Sequence, residues 1–357
     1  MFKKDYLLFF SLSVIICLGL LILLSLSFTE TPPFTSFKKQ LLFFALGIAV
    51  FLFFAHLDWR IFNKSFITFL YFFSLLLLVL VLIFGTRIKG SAGWFSLGAF
   101  HFQPTEITKI ILILILASFL SSKHLELWQF QNLFKTAVFV SLPAFLLVLQ
   151  PDLGGALVLV AIWFFMILIG GIRPNQVFLL IGIFLIGSVL IWTFALKDYQ
   201  RNRIINFLNP SHDPLGIGYN REQSLIAIGS GRIFGKGLGW GTQTHLRFLP
   251  LAKTDFIFAA LGEELGLVGV SLLLGAFLVF IYRLIYWANV FNDNFSKLFT
   301  IGFALKILIE VFINIGMNIG ILPIIGIALP FVSLGGSHLL ADFFALGIIF
   351  SRINHPA

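Results

Sequence analysis

Apolar residues in this chain gather into long unbroken runs instead of alternating with polar ones. About 20 apolar residues suffice for a helix to cross the hydrocarbon of a bilayer, and on that rule the sequence predicts ten spans. They are expected from about Tyr6 to Phe28, Phe37 to Leu57, Ser65 to Phe84, Pro104 to Leu120 and Thr136 to Gln150, then Gly154 to Gly170, Gln176 to Leu196, Asp255 to Tyr282, Lys297 to Ile319 and Ser333 to Ser351. Short polar turns separate most of them. Gly85 to Gln103 reads as a glycine-rich loop. Ile321 to Val332, with Pro323, Gly326 and Pro330, reads as a broken or re-entrant piece. Lys197 to Thr254 is the one long hydrophilic segment, and a loop of that length inside a compact protein usually serves function. The expectation is an all-α polytopic membrane protein, with residues 1–357 forming a single membrane domain and a loop at about 197–254.

Composition supports this pattern. The chain is 59% hydrophobic and 11% charged, against about 25% charged residues in soluble domains. The net charge of +9 therefore reads as membrane topology and contact with anionic lipid or phosphate, not as nucleic-acid binding. Cys17 is the only cysteine, which excludes an internal disulfide and a cysteine metal site. Met1-Phe2-Lys3-Lys4 resembles the start of a signal peptide, but the apolar run behind it is too long and lacks a cleavage site, so it is expected to be retained. Lys3, Lys4, Arg60, Lys64, Lys123, Lys135, Arg173, Arg283, Lys297 and Arg352 fall on one side of the predicted spans, and only Lys38, Lys39, Arg87 and Lys89 fall in the short loops of the other. That asymmetry predicts both termini in the cytoplasm and the long loop outside, where no ATP is available.

Charges inside apolar runs are costly and by default mark function. Glu106 and Lys109 are spaced i,i+3, and Lys306 and Glu310 i,i+4, so each pair can meet on one helix face; such pairs equally suit helix packing. Asp152 follows Gln150-Pro151 and suits a helix cap as well as a cavity. Asp342 has no obvious local partner. Asp255 stands where the long loop meets an apolar run. A carboxylate there is partly desolvated, which favours its taking a proton; with Thr254 it equally suits a helix N-terminus, and the two roles can coexist. Glu263, eight residues on, would share a helix face with Asp255, and Glu264 adjoins it. The loop carries Arg201, Arg203, Arg221, Arg232, Lys236, Arg247 and Lys253, and arginine suits bidentate phosphate contact. Gly229 to Gly237 hints at a phosphate loop but lacks the required Ser or Thr; its glycines are better read as tight turns and close backbone approach. The histidines show no metal spacing, and no nucleophile elbow is present. His338 is unusual inside an apolar run.

Many motifs in order then resemble one family. They are Phe102-Gln103-Pro104-Thr105-Glu106 with Lys109, Gln150-Pro151-Asp152-Leu153-Gly154, Tyr199-Gln200-Arg201, Asp213-Pro214-Leu215-Gly216 and Gln223-Ser224 with Ile226 to Gly231. Gly235-Lys236-Gly237, Gly241-Thr242-Gln243, Thr254 to Ala259 with Gly262-Glu263-Glu264, and Leu329-Pro330-Phe331-Val332-Ser333 with Gly335-Gly336 complete the set. Across nearly its whole length the chain resembles the SEDS family (shape, elongation, division, sporulation) of bacterial cell-wall polymerases, and within it the rod-shape elongation members. The resemblance implies a ten-span fold and peptidoglycan glycosyltransferase activity on lipid II at the outer face of the cytoplasmic membrane, with release of undecaprenyl pyrophosphate. It implies Asp255 as the catalytic carboxylate and Glu106 and Lys109 as a cavity pair, joined by Asp152, Glu263, Glu264 and Ser333. Arg201, Arg203, Arg221, Lys253 and Gln223 are the expected contacts for substrate and phosphate. A class B penicillin-binding protein is the implied partner. A divalent cation such as Mg or Mn is a candidate to share the phosphate charge, although no metal site is legible. The chain departs from the family at Gly93 before Trp94, at Leu251 and Lys253, and at Leu334 and His338 around the closing glycines. Two other readings stay open from the residues alone: a flippase for the lipid-linked precursor, and a non-catalytic scaffold for a transpeptidase.

Overall fold

The structure is a computed structural model that describes residues 5–88, 91–98, 100–123, 129–190, 192–193, 198–209 and 217–355. Lys3, Lys4, Lys89, Lys197 and the Asp213-Pro214-Leu215-Gly216 motif lie outside the described residues. Helices dominate: α1 (Tyr6–Ser27), α2 (Thr35–His56), α3 (Lys64–Phe84), α4 (Pro104–Lys123), α5 (Phe130–Leu149), α6 (Leu153–Ile169), α7 (Pro174–Leu190), α8 (Asp198–Leu208), α9 (Ile217–Gly231), α10 (Thr242–His245), α11 (Ile257–Val290), α12 (Asn294–Asn318) and α13 (Gly336–Asn354). Among the described residues, eight of these are long and apolar enough to cross a membrane, and α6 and α7 are shorter apolar helices of 17 residues each. The protein is a helical membrane protein. Among its described residues the long loop forms α8, α9 and α10.

The expected glycine-rich loop after α3 holds a small antiparallel sheet: β1 (Thr86–Ile88), β2 (Ser91–Leu97) and β3 (Phe100–Phe102), in the order β1-β2-β3. Thr86 pairs with Trp94 and Phe95 with Phe102. Short polar side chains start several helices by accepting from first-turn N–H groups: Asp5 from Leu8 at 3.0 Å, Asp152 from Gly155 at 2.9 Å and Asp293 from Ser296 at 2.8 Å. α13 is the central helix; 94% of its span-length window is buried, against 22% for α2.

α11 differs most from its expected form. It runs for 34 residues and is broken at Gly266, whose backbone lies at φ +64° and ψ −161°. The break strands the carbonyls of Glu263 and Glu264 and the N–H groups of Leu267 and Val268. The turn that follows α9 replaces all four partners. Lys236 N donates to Glu263 O at 2.9 Å and Gly237 N to Glu264 O at 3.0 Å; Leu267 N donates to Arg232 O at 2.9 Å and Val268 N to Ile233 O at 3.1 Å. Backbones this close leave no room for side chains. A Cβ on Gly231 would stand 1.9 Å from the Gly262 carbonyl oxygen. The glycines of this stretch thus serve close backbone approach, as the sequence suggested.

The segment between α12 and α13 is non-helical and its later part is buried, with Leu329, Phe331, Val332 and Ser333 at 1% exposure or less, whereas Ile321 is 63% exposed. Its backbone groups are met by side chains: Asn314 Nδ2 donates to Ile327 O at 2.7 Å, and Leu329 N donates to Ser333 Oγ at 2.8 Å.

The two expected ion pairs form and are joined into one buried chain. Lys109 Nζ lies 2.8 Å from Glu106 and 2.8 Å from Glu310; Lys306 Nζ lies 2.7 Å from Glu310 and also pairs with Asp342. Signs alternate along the chain, which ties α4, α12 and α13 together and gives Asp342 the partner that its own helix lacks. Lys306 is fully buried. Removing one member of such a network strands the others, at a cost of about 3–5 kcal/mol. We therefore expect Lys306→Met to lower the thermal unfolding temperature in detergent markedly, and the double change Lys306→Met with Asp342→Leu to recover part of the loss.

Candidate active site

Asp255 lies two residues before α11, and the helix N-cap is Phe256, which makes no side-chain cap bond. The capping role open to Asp255 is filled from elsewhere: Asn318, at the end of α12, accepts from Ala259 N at 3.2 Å. Three successive carbonyls before the helix are clamped. Leu334 N donates to Lys253 O at 2.9 Å, Ser333 Oγ to Thr254 O at 2.6 Å, and Asn314 and Asn318 donate to Asp255 O at 3.1 and 3.0 Å. The backbone that bears the Asp255 carboxylate is fixed by α12 and by the non-helical segment before α13. Gly326, at φ +76°, approaches from the far side, where a Cβ would lie 3.5 Å from Asp255 Oδ2.

The carboxylate lines a cavity of about 400 Å³. Glu106, Lys109, Asp152 and Arg203 also line it, so the structure brings together five of the residues singled out in the sequence. Trp94 from β2, Gln103, Glu310, Ser337 and His338 join them. Ser337 Oγ accepts from Gln103 N at 2.9 Å and Thr105 Oγ1 donates to Asp152 at 3.3 Å, which locks this wall to the starts of α4, α6 and α13. Glu310 was legible only as the partner of Lys306; its reach to Lys109 on another helix left no mark in the sequence. With Glu106, Asp152, Asp255 and Glu310 against Lys109 and Arg203, carboxylates outnumber lysine and arginine on the wall. Lys109 is further shared by two of them. Carboxylates in excess on the wall disfavour seating a polyanion deeply.

The other expected residues are placed differently. Glu263 and Glu264 are buried but are not among the cavity-lining residues. Glu263 accepts from Lys236 at 2.9 Å, from Gln243 N at 2.8 Å and from Thr244 N at 3.1 Å. Glu264 accepts from Ser25 at 2.8 Å and meets His245 at 2.9 Å. Both hold the 232–249 turn on α11, and Glu264 also ties it to Ser25 of α1. Ser333 acts through the Thr254 carbonyl and does not line the cavity. Arg201 is spent on the carbonyls of Trp192 and Thr193, at 3.2 and 3.0 Å. Arg221 donates to Gly320 O at 3.0 Å and stands over the Phe207 ring. Gln223 lies on α9 outside the cavity wall. Lys253 pairs with Glu30 in the α1–α2 turn. Of the five expected phosphate contacts, only Arg203 reaches the cavity.

Similarity to known proteins agrees with this architecture. The model of the FtsW/RodA/SpoVE cell cycle protein family matches residues 5–356. The peptidoglycan glycosyltransferase MrdB of Escherichia coli (strain K12) is 37% identical over 311 residues, 87% of this chain and 84% of that protein. The stage V sporulation protein E of Bacillus subtilis (strain 168) is 38% identical over 320 residues, 87% of this chain and 85% of that protein. Among solved structures, a chain of a peptidoglycan synthase complex superposes with a TM-score of 0.81 at 31% identity, covering 99% of this chain and 98% of that one. The rod shape determining protein RodA of Thermus thermophilus superposes with a TM-score of 0.74 at 28% identity, covering 99% of this chain and 97% of that one. Fold and cavity define a polytopic helical membrane protein that holds a clamped carboxylate in an acidic chamber. The chain belongs to the FtsW/RodA/SpoVE family.

The Lys253–Glu30 pair gives a pH test. Burial pushes the Glu30 carboxyl up, but the bonds from Lys253 and Ser36 outweigh it and hold it below the usual carboxylate range. A carboxylate lowered on folding adds stability above its unfolded value, and that contribution fades as pH falls through the folded value. The stability gap between the parent and Glu30→Gln is therefore expected to be full near neutral pH and to close in acid, as read from unfolding temperature against pH. Asn318→Leu is expected to lower turnover by loosening the Asp255 carbonyl, with a smaller effect on apparent substrate affinity.

Proposed function

We propose that this chain is a peptidoglycan glycosyltransferase that polymerises lipid II into glycan strands for cell elongation and rod shape. The observation that carries the mechanism is the Asp255 carboxylate, held by its own clamped backbone in the cavity wall. The acceptor sugar's 4-hydroxyl gives its proton to Asp255 as its oxygen attacks the anomeric carbon of the donor. The bond from that carbon to the pyrophosphate oxygen breaks, and polyprenyl pyrophosphate leaves with the bonding electrons. Attack opposite the leaving group inverts the anomeric centre. General base catalysis of this kind contributes about 10²–10⁴-fold. The acidic interior suits the neutral, hydroxyl-bearing partner, which puts the pyrophosphate on the Arg203 side, where a cation offsets the developing charge. Asp152 and the Glu106–Lys109–Glu310 group shape the wall. Among the described residues no group of three or more His, Cys, Asp or Glu side chains could hold a metal ion; a divalent cation shared with the pyrophosphate would need only one or two carboxylates from the chain.

Likeness to a component of a peptidoglycan synthase complex supports a class B penicillin-binding protein as partner, cross-linking the strands made here. The short-loop charge asymmetry supports cytoplasmic termini and a cavity that opens outward.

The test is polymerisation of lipid II by purified protein in detergent, where there is no membrane to cross. Glycan products are expected from the parent, and Asp255→Asn is expected to reduce the rate by about 10²-fold or more. An Asp255→Asn protein that polymerises at the parent rate overturns the base assignment. A parent that makes no glycan favours transport of the precursor instead.

A further inference from the structure

The turn between α9 and α10 presents large apolar side chains outward although its backbone is rigidly held. Phe234 is 83% exposed, Trp240 77% and Ile233 57%. Such side chains on a free tip would be unremarkable singly, but these three sit on a pinned scaffold. Ile233 O receives the N–H of Val268 on α11, and Gly239 N donates to Ser25 Oγ near the end of α1 at 2.8 Å. Below the tip, Lys236 pairs with Glu263 at 2.9 Å and His245 with Glu264 at 2.9 Å. The geometry of the turn is thus set by the two helices against which it rests.

Those helices fix its level. α11 is about 51 Å long by its 34 residues at ~1.5 Å each, well beyond the roughly 30 Å of hydrocarbon. The break at Gly266 divides it. The part after the break exposes Leu267 at 59%, Val268 at 52% and Leu272 at 52%, and so begins the lipid-facing surface. The part before it is buried. Ser25 lies in the last turn of α1. Two spanning helices therefore place the turn at one rim of the membrane, the rim at which Asp255 lies. The backbone bonds of Leu267 to Arg232 and of Val268 to Ile233 set the start of the turn beside the lipid-facing surface of α11. Arg232 and Arg247 are exposed in the same turn; Arg247 donates Nη2 to Thr29 O at 2.7 Å and keeps its other guanidinium N–H groups for a phosphate, and tryptophan is favoured at the membrane rim.

We propose that the 232–248 turn is a preformed lipid-binding wedge, with Ile233, Phe234 and Trp240 seated in the headgroup–acyl boundary and Arg232 and Arg247 at lipid phosphates. It is distinct from the cavity and does not rest on the chemistry assigned there. Its effect is to fix the depth of the cavity mouth against the bilayer surface. A protein partner on the same residues is the competing occupant.

Depth is measurable by spin labelling. The single native thiol is removed with Cys17→Ser, and Phe234→Cys, Trp240→Cys and the reference Val268→Cys are labelled one at a time. Each is reconstituted into vesicles of phosphatidylcholine and phosphatidylglycerol without any other protein. Labels at 234 and 240 are expected to collide more with oxygen than with a water-soluble nickel chelate, as the label at 268 does. With both arginines present, bringing phosphatidylglycerol to zero should shift 234 and 240 towards the aqueous reagent, and the Arg232→Gln, Arg247→Gln background should remove that dependence. If both labels collide mainly with the nickel chelate while 268 reports lipid, the turn stands in water and the proposal is overturned in favour of a protein-facing surface.

Discussion

A chain that leaves the helix inside a membrane protein must find a partner for every N–H and C=O it frees, since no lipid will supply one. This protein leaves the helix in three places that matter: at Gly266, before Ile257 and between α12 and α13. In each case the missing bonds come from another irregular segment or from an amide side chain. The Gly266 gap is filled by backbone from 232–237. The carbonyls of 253–255 are taken by Ser333, Leu334, Asn314 and Asn318. Irregular backbone here is mutually satisfied, so the cavity wall is held as firmly as a helix would hold it. That is the condition a positioned carboxylate requires, because small misplacement of a reacting group is costly.

Charge follows the same logic one layer deeper. Glu106, Lys109, Glu310, Lys306 and Asp342 alternate in sign across three helices. Each cation is flanked by carboxylates, so the burial of one member is justified only by the presence of the next. The upper members line the cavity, whereas Lys306 and Asp342 are sealed below it. Wall electrostatics and helix packing are thereby one system, and a change at the bottom of the chain is felt at the top.

The architecture was largely legible because lipid imposes long apolar runs, and each predicted span has a helical counterpart. The carboxylate at the end of the polar loop was legible for a different reason: an acid at that boundary stands out against its surroundings. What escaped was whatever depends on partners far away in sequence. Hydropathy runs smoothly through Gly266, so the break did not show. Arg201, Arg221 and Lys253 looked like phosphate contacts because their type and location fit, but carbonyls and Glu30 claim them. Asp255 and Glu263 share the expected spacing, yet the helix begins after the aspartate, so they do not act together. Asp342 lacked a partner only within its own helix.

The backbone exchange at Gly266 also has a bearing on assembly. Residues 232–237 precede the break by only about thirty positions, so closing that loop has a modest entropic cost. The contact of Ser25 with Glu264, by contrast, spans 239 positions. The hairpin of α9, its turn and the part of α11 around Gly266 can therefore form as a local unit soon after it is made. The first helix would then receive a finished surface, not two loose ends.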